Sequence, residues 1–304
     1  MTELLRSAIT EGSRKTYERA WRMYVDFAAD FGEPGCPLLP VSVNSLALFI
    51  SYLSARKFGS STILTYVSVL SYVHKLGNLP DPSRNFLVQK LLTAHNRLHS
   101  APDVRLPITR SVLHRLVLAL NHTNSSAFQR LLYKTMFLVA FYGFFRLGEL
   151  TAKGANLRPL VRFEDLCFQT QNNCLTSASI DIKGFKQNTS RRPFSVILER
   201  AKEVQFCPVN HLQQYCSLRG TTPGALFCFA DGAPVKTTHF TQQLRQALIF
   251  CGLDCSRYKS HSFRIGAASW AAEKGLSDAQ IRHLGRWKSD AFKLYIRQTT
   301  SSVC

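Results

Sequence analysis

The stretch that decides the fold lies near the carboxyl end and reads HSFRIGAASWAAEKGLSDAQIRHLGRWKSDAFKLYIR, from residue 261 to residue 297. Its apolar spacing predicts a helix that begins near His261. On that helix His261 and Arg264 are three residues apart and therefore share one face. Tyr295 follows 31 residues after Arg264. The stretch thus supplies a proton-carrying imidazole, a permanent cation and a phenol within a short length of chain.

A second arginine stands far upstream, in GFFRLGEL from Gly143 to Leu150. Arginine presents a planar fork that matches phosphate oxygens and keeps its charge, so Arg146 and Arg264 are candidate phosphate ligands. Histidine can move a proton near neutral pH, and tyrosine can act as a covalent nucleophile. Together these side chains could attack a DNA phosphate without a metal. Glu149 lies three residues after Arg146 and is expected to orient it by a charge-assisted bond.

The charge of the chain points to the same ligand. The 304 residues hold 38 Lys and Arg against 19 Asp and Glu, a formal charge of +19. Residues 1–100 carry 11 basic and 7 acidic side chains, whereas residues 101–304 carry 27 and 12. Such an excess favours a polyanionic partner, and double-stranded DNA is the leading candidate. The strongest attraction to phosphate is expected from the carboxyl-terminal part.

Several other classes of protein are disfavoured. The nine cysteines form no pair of zinc half-sites, so no metal or other cofactor is expected, and the thiols are interpreted as reduced residues of an intracellular protein. Acidic residues are few near the basic motifs, which disfavours a metal-dependent nuclease. No apolar run reaches the ~18 residues of a membrane span, and the start does not resemble a signal peptide.

The first hundred residues are predicted to form four helices. The first bears an aromatic stripe and ends at Gly32, the second is capped by Ser42, the third runs from Ser61 to Leu76, and the fourth runs from Phe86 to Leu98. Residues 1–100 are therefore predicted to be a small helical domain, and residues 101–106 a linker. A second domain is predicted to span residues 107–304.

The second domain is predicted to be mostly helical with a small antiparallel sheet. Thr109 is a candidate helix cap, and the apolar run from Leu131 to Phe145 is predicted to be a buried helix that ends at Gly143. Three short β-rich runs follow, at 163–168, 175–182 and 194–198. Further helices are predicted near residues 208, 238, 261, 277 and 290. The fold class is therefore mainly α.

Taken in order, these motifs resemble the tyrosine recombinase, or phage integrase, family. Arg146 matches the first arginine of that family, His261 and Arg264 match its His-x-x-Arg motif, and Tyr295 matches its nucleophile. The stretch from Gly266 to Arg297 is most similar to the recombinases of eukaryotic DIRS/Ngaro or Crypton mobile elements. The resemblance implies an amino-terminal, SAM-like core-binding domain that clamps DNA, a catalytic domain, and a nuclear location.

The resemblance also implies a lysine on a β-hairpin. The stretch from Ile182 to Val196 resembles that hairpin, and it places Lys186 at the position of the general acid, with Lys183 as the rival. Both lysines could instead only contact the DNA backbone. Arg191 and Arg192 follow Lys186 and are expected to bind DNA.

The sixth catalytic position of the family, His or Trp, usually lies nine residues before the tyrosine. Counting back nine residues from Tyr295 reaches Arg286, and counting eight reaches Trp287. Trp287 is the favoured candidate, because its indole N–H can donate one hydrogen bond, although it could simply pack in the core. Arg286 could donate to phosphate directly.

The expected function is site-specific DNA recombination through a 3′-phosphotyrosine bond on Tyr295. A type IB topoisomerase uses the same chemistry, and a DNA-binding protein that no longer cuts is a third possibility. Recombination implies self-association on DNA, as a dimer to a tetramer. Only nine residues follow Tyr295, whereas many members of the family extend a further helix onto a neighbouring subunit, so assembly is expected to use other surfaces.

Overall fold

A computed structural model describes residues 8–32, 35, 37–99, 103–124, 126–153, 160–184 and 192–297. The chain divides into two compact units, Met1–Asp103 and Val104–Cys304. The division falls inside the stretch 101–106 that the sequence suggests as a linker. Lys186 and Arg191 lie outside the described residues.

In the part of the first unit that the structure describes there are four α-helices: α1 (Glu11–Phe31), α2 (Val43–Ala55), α3 (Ser60–Leu76) and α4 (Phe86–His99). Side-chain oxygens of Thr10 and Ser42 accept hydrogen bonds from the first turns of α1 and α2, and Gly32 and Gly77 follow the ends of α1 and α3. Apolar side chains at helical spacing close a separate core in this unit. The four predicted helices and the predicted Ser42 cap are confirmed.

The second unit begins its helical part with α5 (Arg110–Thr123), α6 (Ala127–Tyr142) and the single turn α7 (Leu147–Leu150). Four helices follow the sheet: α8 (Pro208–Arg219), α9 (Thr237–Phe250), α10 (Ser262–Glu273) and α11 (Asp278–Gly285). Thr109 caps α5, and the buried helix α6 ends directly before Gly143, both as predicted. Phenylalanine side chains of α6, α9 and α10 meet in the middle of the core, which fixes α10 against α6.

A three-stranded antiparallel sheet lies between α7 and α8. Its strands are β1 (Leu166–Gln171), β2 (Cys174–Ile182) and β3 (Phe194–Glu199), in the order β1-β2-β3. Ile180 of β2 pairs with Val196 of β3, and Ile182 pairs with Phe194. The predicted mainly helical fold with a small antiparallel sheet is confirmed.

One local prediction was wrong, and one predicted helix is present in a tighter form than an α-helix. The run from Phe163 was expected to be extended, but Phe163–Asp165 is a 3-10 turn, because the Asp165 carboxylate accepts the backbone N–H of Arg162 and closes the turn. The helix expected near Asp290 is also of the 3-10 type, Asp290–Tyr295. Ser289 caps this 3-10 helix, and Phe292 is buried in the core. Together they keep the helix short and tightly wound.

Within the described residues, no helix is both long enough and apolar enough to cross a bilayer.

Candidate active site

Arg146 sits at a sharp turn between α6 and α7. Gly143 directly follows the last residue of α6, and a β-carbon on Gly143 would lie 2.4 Å from the ring of Phe145. Phe144 takes a left-handed conformation with φ of 51°. Arg146, two residues after Phe144, is the N-cap of α7. Its backbone N–H donates to Glu149 Oε2 at 2.8 Å, and its Nη1 donates to Glu149 Oε1 at 3.0 Å. The expected bond between Glu149 and Arg146 is therefore present.

The Arg146 side chain keeps a route to solvent. It is 26% exposed, whereas the Glu149 side chain is only 6% exposed. A carboxylate buried this far is stable only when cations and hydrogen-bond donors surround it. Glu149 therefore anchors one end of the Arg146 guanidinium, while the side chain as a whole stays partly accessible from outside.

Arg264 is buried in the first turn of α10. Its residue is 1% exposed, its Nη2 donates to the carbonyl of Gly285 at 2.7 Å, and its Nη1 donates to the carbonyl of Phe144. The guanidinium carbon lies 4.4 Å from the centre of the Trp287 ring, a cation–π geometry. Arg264 thus ties the turn before Arg146 to the end of α11.

Trp287 and Arg286 lie side by side but point in different directions. The Trp287 indole covers Arg264 and lies 5.4 Å from the ring of Tyr295, centre to centre. Arg286 is turned inward, with a side chain 1% exposed that pairs with Glu149. Of the two candidates for the sixth position, only Trp287 contacts the tyrosine ring.

Tyr295 ends the 3-10 helix and is half-buried. Its ring lies 4.9 Å from the imidazole of His261, the N-cap residue of α10. The backbone around it is held by Ser269, whose Oγ donates to the carbonyl of Tyr295 at 3.2 Å and accepts the N–H of Arg297 at 2.9 Å. Sequence reasoning missed Ser269, because a serine in the middle of an apolar helix carries no signal that it binds a segment 26 residues away.

The electrostatics around the tyrosine are dominated by cations. Burial lowers the pKa of Arg264, and the charges of Arg146 and Arg286 lower it further, while Glu149 and Tyr295 act in the opposite direction. Three guanidinium groups therefore share one carboxylate, which leaves an excess of positive charge beside the phenol. A site of this kind is built to hold an anion.

Two of the cations predicted on or beside the hairpin, Lys183 and Arg192, lie within the described residues. Lys183 is 65% exposed and forms an ion pair of 2.5 Å with Asp165, and this hydrogen bond and charge raise the pKa of Lys183. Arg192 is exposed.

The structure brings together one group of the predicted site residues: Arg146, Glu149, His261, Arg264, Arg286, Trp287 and Tyr295. Among the residues it describes, no three His, Cys, Asp or Glu side chains are grouped so as to hold a metal ion.

No protein-family model matches the chain, and no curated protein matches it either. Solved structures do match. A lambda integrase dimer bound to a COC′ core site has a TM-score of 0.63 at 15% identity, over 98% of this chain and 75% of that one. XerH site-specific recombinase bound to palindromic difH, in a post-cleavage complex, has a TM-score of 0.65 at 16% identity, over 92% and 75%.

The integrase of the transposon Tn1549, in complex with circular intermediate DNA, has a TM-score of 0.54 at 11% identity, over 93% of this chain and 96% of that one. At these identities the similarity concerns the fold. The chain has the fold of the tyrosine recombinases.

Proposed function

We propose that this protein is a site-specific DNA recombinase that cuts and rejoins DNA through a phosphotyrosine bond on Tyr295. The observation that carries the proposal is the grouping of Tyr295 with His261, Trp287 and two arginines drawn from distant parts of the chain. The shared fold of DNA-bound recombinases supports it.

In the proposed step the Tyr295 oxygen attacks a DNA phosphorus. The bond from phosphorus to the 5′-oxygen breaks, a 3′-phosphotyrosyl ester forms, and the 5′-oxygen leaves as a hydroxyl after it takes up a proton. The ester keeps the energy of the phosphodiester, so no nucleotide cofactor is required. A 5′-hydroxyl from a second strand can then attack the ester, release Tyr295 and complete the exchange.

Fixed cations replace a metal in this scheme. Arg146, which reaches solvent, contacts the non-bridging oxygens, and Arg264 adds its charge from a buried position beside Tyr295. His261 donates to the phosphate or assists proton transfer. Trp287 supplies the sixth position. In phosphoryl transfer an arginine of this kind is worth ~10³–10⁵ in rate.

The leaving 5′-oxygen receives its proton from Lys186 in this proposal. The rival, Lys183, is less suited to the role because Asp165 raises its pKa and so makes it a weaker acid. Lys183, Arg191 and Arg192 are assigned to the DNA backbone, since each is a cation on or beside the hairpin.

The unit Met1–Asp103 is proposed to clamp the DNA, and several copies of the chain are proposed to assemble on it. The lambda integrase structure is a dimer on its core site, which supports self-association. We further propose an origin in a eukaryotic mobile element of the DIRS/Ngaro or Crypton kind, with a nuclear location. Imaging of a tagged chain in a eukaryotic cell would test the location, and exclusion from the nucleus would contradict it.

The first prediction concerns a nicked suicide substrate, from which the cleaved fragment diffuses away. The protein should form a covalent protein–DNA adduct in the presence of EDTA, and Tyr295→Phe should form none, because the nucleophilic oxygen is missing. Denaturing gel electrophoresis measures the adduct. Tyr258→Phe is the matched control, since Tyr258 is a partly buried tyrosine of the same unit outside the cluster.

An adduct that survives Tyr295→Phe, or that needs added Mg²⁺, would contradict the proposal. A second assay mixes two differently labelled DNA duplexes. A recombinase would join them to each other, whereas a topoisomerase-like enzyme would relax supercoiled DNA without joining separate duplexes. Binding without any adduct would favour a DNA-binding protein that does not cut.

A further inference from the structure

Arg286 occupies an unusual backbone position. It follows the last residue of α11 with φ of 56° and ψ of 44°, a left-handed conformation that helices usually assign to glycine. A side chain with a β-carbon pays about 1–2 kcal/mol for that conformation. The strain indicates that the Arg286 side chain makes interactions that offset it.

Those interactions are all directed inward. Nη2 of Arg286 donates to Glu149 Oε2 at 2.8 Å and to the carbonyl of Phe144 at 3.0 Å, and Nη1 donates to the carbonyl of Gly143 at 3.4 Å. The guanidinium carbon also lies 5.3 Å from the ring centre of Phe145 and 5.7 Å from that of Phe194.

These contacts join three segments of chain. Phe144 and Glu149 belong to the turn that carries Arg146, Phe194 is the first residue of β3, and Arg286 itself directly precedes Trp287. A single buried guanidinium therefore ties the Arg146 turn to the sheet and to the segment that leads to Tyr295.

The two oxygens of Glu149 have different cationic partners. Oε1 binds the Arg146 side chain, and Oε2 binds Arg286 and the backbone N–H of Arg146. Without Arg286, Arg146 would be the remaining cation hydrogen-bonded to the buried carboxylate among the described residues, and Arg264 would add its charge only from farther away. Arg146 would then be drawn further toward Glu149 and away from a phosphate.

We propose that Arg286 is a positioning residue that fixes Arg146 through Glu149 and does not touch DNA. The proposal rests on the proposed function only for its effect on rate; the effect on Arg146 itself is independent of cleavage. Its side chain is 1% exposed and both of its Nη atoms are engaged, which leaves almost no surface for a phosphate.

The test combines three variants with two measurements. Arg286→Met removes the buried charge at similar volume, Arg286→Lys keeps the charge without the fork, and Glu149→Gln removes the carboxylate. At saturating DNA, we expect Arg286→Met to slow adduct formation by ~10²-fold, the size expected of a misplaced catalytic group. Any change in DNA affinity and its salt dependence should be the same in Arg286→Met as in Glu149→Gln, because both variants act through Arg146, and Arg286→Lys should recover part of the rate.

The second measurement needs no cleavage. In ¹⁵N-labelled protein without DNA, the Nε–Hε resonance of Arg146 should shift in Arg286→Met and again in Glu149→Gln. The double variant should be no slower in adduct formation than the slower single variant, because both changes act through one chain of contacts. Retention of the overall spectrum shows that each variant is folded.

An Arg146 resonance that does not move in folded Arg286→Met would overturn the proposal. So would a loss of DNA affinity with a smaller salt slope that occurs in Arg286→Met but not in Glu149→Gln, which would place Arg286 itself on a phosphate. If the wild-type protein forms no adduct while the Arg146 resonance still shifts, then the proposed function fails and the positioning role of Arg286 stands.

Discussion

At the scale of single residues, the arrangement depends on arginines whose guanidinium groups bind backbone carbonyls. The carbonyl of Phe144 accepts from both Arg264 and Arg286, so two cations converge on one backbone oxygen. A guanidinium has five donors in a fixed plane, which lets it bind backbone on one side and still contribute charge on the other. Lysine at either position could not make these contacts.

Trp287 offers a test at this scale. Trp287→Phe keeps an aromatic ring over Arg264 but removes the indole N–H. If that N–H donates to the phosphate, the loss of one hydrogen bond to a charged group, ~1.5–3 kcal/mol, should slow adduct formation by ~10–100-fold. Single-turnover kinetics on the suicide substrate provide the measurement.

Trp270→Phe is the matched control for this substitution. The indole nitrogen of Trp270 is buried without a hydrogen-bond partner within the described residues, so removal of its N–H should leave the rate unchanged. Equal rates for Trp287→Phe and the wild-type protein would show that Trp287 acts by packing alone.

At the scale of elements, the end of α11 is shaped by one small residue. A β-carbon on Gly285 would lie 1.5 Å from Cζ3 of Trp287, whereas one on Gly148 in α7 would meet nothing within 4 Å. Gly285 therefore allows the indole to fold back over the helix end and cover Arg264. This close approach is important for the candidate active site, because it sets the position of the Trp287 ring.

This contrast predicts that two alanine substitutions will change the free energy of unfolding by different amounts. Gly285→Ala should lower the free energy of unfolding by ~1–3 kcal/mol, because the indole must be displaced from a packed position. Gly148→Ala should change it by no more than ~0.5 kcal/mol. Denaturant titration measures both values, and a Gly285→Ala protein as stable as the wild type would contradict the packing described here.

At the scale of the whole molecule, one chain supplies every described member of the cluster. Ser269 and the buried ring of Phe292 hold the Tyr295 segment against α10 of the same chain. The phenol should therefore attack the phosphate that its own chain's arginines bind.

Mixing two variants tests this expectation. Tyr295→Phe lacks the nucleophile, and Arg146→Lys lacks the phosphate fork. If each chain attacks in its own site, the mixture should form no more adduct than either variant alone, because neither chain contains a complete site. Recovery of adduct in the mixture, measured on the same suicide substrate, would show that Tyr295 is donated between chains.

The sequence alone was enough to predict the longer helices of both units, their caps at Ser42 and Thr109, and the sheet, because apolar periodicity and capping residues act within a few residues of chain. It also pointed to Arg146, His261, Arg264 and Tyr295 through motifs of fixed spacing. For the sixth position it favoured Trp287 but left Arg286 open, because the two are neighbours in sequence.

Where these two side chains point depends on the tertiary structure. The left-handed residue at the end of α11 sends Arg286 inward to Glu149, 137 positions away, and leaves Trp287 against Tyr295. The role of Ser269, which binds backbone 26 positions away, was equally hidden. Contacts over such separations depend on how helices pack against one another, and local sequence patterns do not record that packing.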